Sequence, residues 1–201
     1  MRIALSVSLL LVITCVAHGK TAPPLASVYM DIPLGTVAHY LVKGKNKRVE
    51  IISRISESTH TKIGRTVTVV QNVVNPKATI VQRYYLTRNQ VIQVLVDGAT
   101  EKNRRVIIQG PIVKGTQWSK VTGDFFIKYG IEDTNATVKT PVGTFKNVLV
   151  VRQLINMGGP DKWPKVVSYF APGVGLVAQK TTGMAALALT LEKLTRPKGR
   201  K

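Results

Sequence analysis

Few residues in this chain have types and spacings that can carry chemistry. The histidines are His18, His39 and His60. His39 and His60 have no His, Cys or carboxylate at metal-ligand spacing, so the sequence predicts no metal site. Ser58-Thr59-His60 reads as a polar turn between strands rather than a nucleophile beside its base. Glu132 and Asp133 are adjacent, and on a strand neighbours point to opposite faces, so they do not form a carboxylate pair. No G-x-S-x-G elbow occurs. Gly173-Val174-Gly175 lacks the G-x-G-x-x-G or Walker spacing that opens a helix around a phosphate. These spacings predict a chain that is not an enzyme and holds no cofactor.

Basic and aromatic residues are the remaining candidates. "KGKNKR" (43–48) places Lys43, Lys45, Lys47 and Arg48 at the tip of an expected hairpin. "EKNRR" (101–105) puts Arg104 and Arg105 in an expected second loop, and "RPKGRK" (196–201) is a basic tail. Each reads either as a solvated turn or as part of a face that binds anionic head groups. In the second case each charge adds about 1 kcal/mol near a membrane surface. No aromatic is interleaved for base stacking, which points away from nucleic acid. Tyr84 and Tyr85, adjacent in a strand, must place one ring on each face. With Trp163, in the Gly/Pro-rich "NMGGPDKWPK", they are candidates for lining an opening to an apolar interior; the other reading of Trp163 is a seal on a barrel end.

The charge balance fits such company. The 201 residues carry 29 Lys+Arg against 10 Asp+Glu, a formal net charge of +19. A field of that size either keeps an exported protein soluble or draws it to polyanions: anionic lipid, lipopolysaccharide or acidic cell-wall polymer. The export reading rests on "MRIALSVSLLLVITCVAHG". Arg2 opens it, an apolar run follows to Ala17, and Ala17 and Gly19 supply small residues for cleavage before Lys20. The run is shorter than the roughly 20 residues a spanning helix needs. Cys15 is the only cysteine, so the chain forms no internal disulfide. It stands where bacterial lipoproteins are acylated, but Thr14 replaces the small residue of that pattern. The expected division is a signal peptide over 1–19, one β-rich domain over 20–195 and a basic tail over 196–201, with the mature chain in the periplasm or envelope.

The elements that must position these residues are strands. Period-two alternation dominates. In "RVEIISRIS", Val49, Ile51, Ser53 and Ile55 face one way, and Arg48, Glu50, Ile52 and Arg54 the other. "RTVTVVQNVV" (65–74) is β-branched, which suits a pleated surface. Further strands are expected near 78–88, 90–97, 104–109, 123–133, 145–156, 166–171, 174–182 and 185–195. "MAALALTLEKL" (184–194) fits helix or strand, and the alternation of Leu187, Leu189 and Leu191 favours strand. "NVLVVRQLI" is apolar on both faces, as in a covered central strand or a strongly curved sheet. The fold class expected is all-β: a single curved antiparallel sheet, half-barrel or partly closed barrel. "TAPPLASVYMDIP" reads as an extended lead into it.

The turns repeat a formula. "PLGT" (33–36), "PIVKGT" (111–116) and "PVGT" (141–144) each precede a strand, and an aromatic follows: Tyr40, Trp118 and Phe145. In "APGV" (171–174), Pro172 fits the second turn position and Gly173 the positive φ of the third. Gly175 admits a bulge or a close backbone approach. "PVGTFKNVLVV" followed by "YFAPGVGLVAQK" resembles bacterial exported proteins with a P-x-G-T-F strand start and a Tyr-x-Ala-Pro-Gly-Val-Gly-Leu-Val hairpin. "DIPLGTVAHYLVKG" is similar to their opening, although Gly35 comes early and Tyr40 replaces their Trp. The resemblance implies a curved antiparallel sheet distantly like that of periplasmic lipoprotein carriers. Taken together, three functions stay open. The first is an envelope protein binding a lipid, acyl chain or other anionic amphiphile. The second is an interaction protein docking through its basic surface to an acidic partner. The third is a small outer-membrane barrel, against which the sparse aromatics and doubly apolar strands argue.

Overall fold

The computed structural model describes residues 25–45, 48–62, 64–122, 125–156, 164–183 and 186–198. Lys47, Trp163, the segment expected as a signal peptide and the last three residues of the basic tail lie outside them.

The alternating segments form twelve strands. In order they are β1 (Val37–Lys43), β2 (Arg48–Thr61), β3 (Gly64–Val73), β4 (Ala78–Leu86), β5 (Gln90–Asp97) and β6 (Thr100–Gln109). Then come β7 (Gln117–Thr122), β8 (Phe125–Thr140), β9 (Gly143–Asn156), β10 (Lys165–Ala171), β11 (Gly175–Thr182) and β12 (Leu187–Thr195). All pair antiparallel in one sheet, ordered β6-β5-β4-β3-β2-β1-β12-β11-β10-β9-β8-β7. The sheet curls until its two edges, β6 and β7, stand next to each other without a backbone ladder, leaving a barrel with one unsealed seam.

The alternation decides which residues fill it. Ile51, Ser53 and Ile55 of β2 line the interior, while Glu50 and Arg54 are exposed. The ambiguous leucine segment is a strand, because Leu191 is fully buried and pairs with Tyr40 on β1. In β9, Val148 and Leu149 are both completely buried and face different clusters. The cause is the far half of the β8–β9 hairpin, which carries Ala136, Val138 and Phe145 and packs over β11 and β12. Three register shifts in β8 between Ile131 and Val138 produce the bend that takes it there.

Ser58-Thr59-His60, expected as a polar turn, is part of β2 and pairs with Val67, Thr66 and Arg65, because the β-branched run of β3 continues the ladder past a bulge between Ile55 and Glu57. Other elements also depart from the sequence expectation. β7 is absent from it, since "QWSKVT" is a six-residue edge strand with a single Trp and Val to show a pattern. β8 runs on to Thr140 rather than stopping near 133, through a polar stretch broken by bulges. The expected extended lead is instead a short 3-10 helix, η1 (Ala26–Tyr29), followed by a buried tether.

That lead plugs the barrel. Tyr29, Met30 and Ile32 are buried among Ile55, Val67, Leu86, Val91, Ile108 and Leu149. Backbone bonds fix it at both sides: Ala26 N–H donates to Arg88 O at 3.1 Å, and Gly173 N–H donates to Val28 O at 2.9 Å. Arg65 holds it from β3, donating to Ile32 O at 2.9 Å and pairing with the Asp31 carboxylate. The "YFAPGVGLV" turn is therefore the seat of the plug. Gly173 sits at φ +66 and Gly175 at φ +87, and a Cβ on Gly175 would meet Ile32 Cδ1 at 2.7 Å.

Because every strand reverses direction, the ends of the barrel are distinct. The starts of β1, β5, β7 and β11 and the ends of β2, β4 and β6 gather at the plugged end. Lys43, Arg48, Asp97, Thr100, Lys165 and Leu187 mark strand ends at the other, the mouth.

Candidate functional site

The interior changes character from plug to mouth. Beyond the apolar layer lies a polar one, contributed by β4, β5, β6, β8, β9, β10 and β11: Tyr84, Gln93, Arg105, Tyr129, Gln153, Ser168 and Gln179. They line a cavity of about 100 Å³ whose apolar walls are Met30, Ile107, Val151, Phe170 and Leu176. A second cavity of about 80 Å³ lies on the β1–β3 side, between Ile51, Ile55, Val69, Val174 and Leu189. Met30, Tyr84 and Leu176 line both cavities.

Gln93 organises the polar layer. Only 6% exposed, it donates from Nε2 to Tyr84 OH at 2.8 Å and to Gln82 Oε1 at 2.9 Å. Its Oε1 accepts from Arg105 Nε at 2.6 Å. Burial pushes the Tyr84 hydroxyl up to about 12, against smaller opposing effects of the Gln93 bond and the Arg105 charge. Burial also raises Tyr129, again opposed by Arg105. The Tyr129 hydroxyl is fully enclosed and meets no hydrogen-bond partner among the described residues. On the far wall Gln179 Nε2 donates to Ser168 Oγ at 2.8 Å.

Among the described residues no carboxylate lines this cavity. Among the described residues Arg105 forms no ion pair, whereas Arg65, Arg83, Lys102, Arg152 and Lys165 all do. A half-buried guanidinium without a counter-charge, next to an orphaned hydroxyl, is an arrangement able to receive an oxyanion.

The same arginine borders the seam. There, side chains of β7 replace the missing ladder. Trp118 Nε1 donates to Val106 O at 3.0 Å, and Lys120 Nζ donates to Arg104 O. The Trp118 indole stacks on Tyr129, with ring centres 5.3 Å apart and planes 1° apart. A groove along the seam is lined by Arg104, Arg105, Val106, Trp118 and Lys120. Arg105 thus reaches both the groove and the inner cavity.

The sequence candidates separate accordingly. Tyr84 and Tyr85 split as the strand period requires. Tyr84 is inside; the Tyr85 hydroxyl bonds the Glu101 carboxylate on the outside, beneath the Arg104 guanidinium at 5.5 Å. Arg104 and Arg105 stand in β6, as the strand expected near 104–109 has them, and not in the loop expected over 101–105. A register shift between Gln93 and Leu95 accommodates their charged, partly irregular stretch at the sheet edge. Lys43 and Arg48 pair across the β1–β2 hairpin and are exposed, with Lys45 beside them. They stand at the mouth, on strands in the middle of the sheet order, across the barrel from the seam where Arg105 lies. Trp118, Tyr129 and Gln93 escaped the sequence reading. The aromatic that follows "PIVKGT" was the available signal for Trp118; nothing in one sequence marks the others. Among the described residues no group of His, Cys, Asp and Glu is placed to hold a metal, and no helix is long and apolar enough to cross a membrane.

No family model matches the chain, and none of the curated proteins does. Two solved structures share its fold. One, from Parabacteroides distasonis and described as a lipoprotein, is 16% identical with a TM-score of 0.58; the match covers 87% of this chain and 100% of that one. The other, from Bacteroides fragilis and described as an exported protein with a YmcC-like fold, is 13% identical with a TM-score of 0.56. It covers 82% of this chain and 97% of its own.

Proposed function

We propose that this chain is a non-enzymatic exported protein of the cell envelope that binds an anionic amphiphile by its charged head at the β6–β7 seam. The export reading is supported by the leader-like first 19 residues and by structural neighbours described as an exported protein and a lipoprotein. The binding reading rests on one observation: Arg105, with no counter-charge among the described residues, lies where the seam groove meets the polar cavity. The two inner cavities, about 100 and 80 Å³, are well below the roughly 300 Å³ at which small-molecule sites begin. Head-group capture with the chains left outside therefore fits better than storage of a whole acyl chain in the closed barrel.

A second reading is favoured by the basic mouth alone. Lys43, Lys45 and Arg48 across from Arg104 and Lys120 would dock an acidic protein or cell-wall polymer without using the interior. Co-sedimentation in 1 M salt, where attraction by net charge alone is screened, separates the two. Pelleting with vesicles of phosphatidylglycerol in phosphatidylcholine, and not with phosphatidylcholine alone, is the outcome expected of amphiphile binding. A chain that stays in the supernatant with both contradicts it.

A further inference from the structure

We infer that Arg105, Gln93 and Tyr129 form an oxyanion site reached through the β6–β7 seam, built for the carboxylate or phosphate of an amphiphile. The inference rests on the reading above and deepens it by naming the group that is recognised and the residues that do so. Arg105 uses Nε on the Gln93 amide, and that bond, at 2.6 Å, aims the rest of its planar fork. The amide is itself held by Tyr84 OH and Gln82. The terminal nitrogens of Arg105 meet no acceptor among the described residues, and they match two oxygens of a carboxylate or phosphate. Tyr129 is 97% buried by its 3% exposure, it lines the same cavity, and its hydroxyl is unpartnered among the described residues. A buried donor without a partner is costly, and an incoming oxyanion satisfies it.

The seam gives the route. Every other pair of neighbouring strands is joined by a backbone ladder; β6 and β7 are joined by the Trp118 and Lys120 side chains. Two side-chain bonds part more readily than a ladder, and Lys120 and Arg104 line the groove that an anion must pass. The apolar remainder of the ligand lies along Val106 and Trp118 in that groove.

Calorimetric titration of the full chain with hexanoate, hexyl phosphate and 1-hexanol tests this. The expected result is binding of at least one anion and not of the alcohol. Preference for hexanoate assigns a carboxylate, and preference for hexyl phosphate a phosphate. Arg105→Gln should weaken binding about 10-fold or more, and Arg105→Lys by less, since the charge stays but the fork is lost. Tyr129→Phe, which keeps the stack on Trp118, should weaken it by about 3-fold. The double variant Lys43→Gln/Arg48→Gln removes more charge, across the barrel, and should bind as the wild type does. Should Arg105→Gln fail to fold by circular dichroism, Tyr129→Phe and Arg105→Lys carry the test. Wild-type chain that pellets with anionic vesicles but takes up neither anion overturns this site and leaves the reading above standing. So does anion binding that is indifferent to Arg105 and Tyr129. Failure to pellet removes the reading itself.

Discussion

Gln93 shows how much one side chain settles in this barrel. Its amide joins Tyr84 on β4 to Arg105 on β6, and every polar atom of it is used. Gln93→Leu leaves the Arg105 Nε–H without its acceptor in the interior and takes from the Tyr84 hydroxyl one of its two bonds, the other being its donation to Gln82 Oε1. It should cost about 1–3 kcal/mol in denaturant unfolding, whereas Gln71→Leu, at a partly exposed site bonded only to Ser53, should cost less. Tyr84 gives the site a signature in alkali. Its ordinary value is 10.0 and burial raises it to about 12, so the folded state holds the proton longer than the unfolded chain. The resulting stabilisation is complete below pH 10 and is lost as pH rises towards 12, by about 2–3 kcal/mol over that interval. Unfolding midpoints at pH 8 and pH 11.5 measure it, and Tyr84→Phe should flatten the decline. The basic and aromatic residues of this site were legible in the sequence; their orientation was not. Alternation assigns faces only while the register holds, and the shift between Gln93 and Leu95 resets it just where Arg104 and Arg105 lie.

Among the elements, the plug and the seam depend on different kinds of contact. The plug is an apolar insertion held by its seat. Gly175→Ala places a Cβ 2.7 Å from Ile32 Cδ1 at φ +87, and should destabilise the chain by about 1–3 kcal/mol. Ile32→Ala should offset part of that cost, because it removes the atom in the way; a double-mutant cycle on the two reads the coupling. The seam is held by side chains, so its loosening should not unfold the barrel. Trp118→Phe keeps a ring on Tyr129 and deletes the bond to Val106 O. Amide hydrogens of β6 and β7 should then exchange faster, with those of β1 and β12 unchanged. Most strands were readable from alternation, and so were the turns: Gly35, Gly115, Gly143 and Gly173 all take positive φ, as their formulas require. β7 and η1 were not, since six and four residues are too few to display a period. That the lead folds back as a plug is a tertiary fact, and only the two glycines of its seat hint at it.

At the scale of the whole molecule, the succession of alternating segments predicted an all-β curved sheet, and the described residues form one antiparallel sheet of twelve strands closed but for a seam. The formal charge of +19 acts over this scale as well. It should concentrate the protein at anionic surfaces at low salt and release it as the Debye length shrinks from about 10 Å at 0.1 M to about 3 Å at 1 M. Attraction of that kind is separable from capture at Arg105, which is half-buried and screened far less. Native mass spectrometry of the chain, recovered without detergent from the envelope of the producing cell, shows whether an amphiphile is captured at Arg105. The expected result is the protein mass plus one anionic amphiphile, retained in high salt, shed on denaturation and absent from Arg105→Gln. A bare protein mass that persists after incubation with phosphatidylglycerol and fatty acid would contradict it.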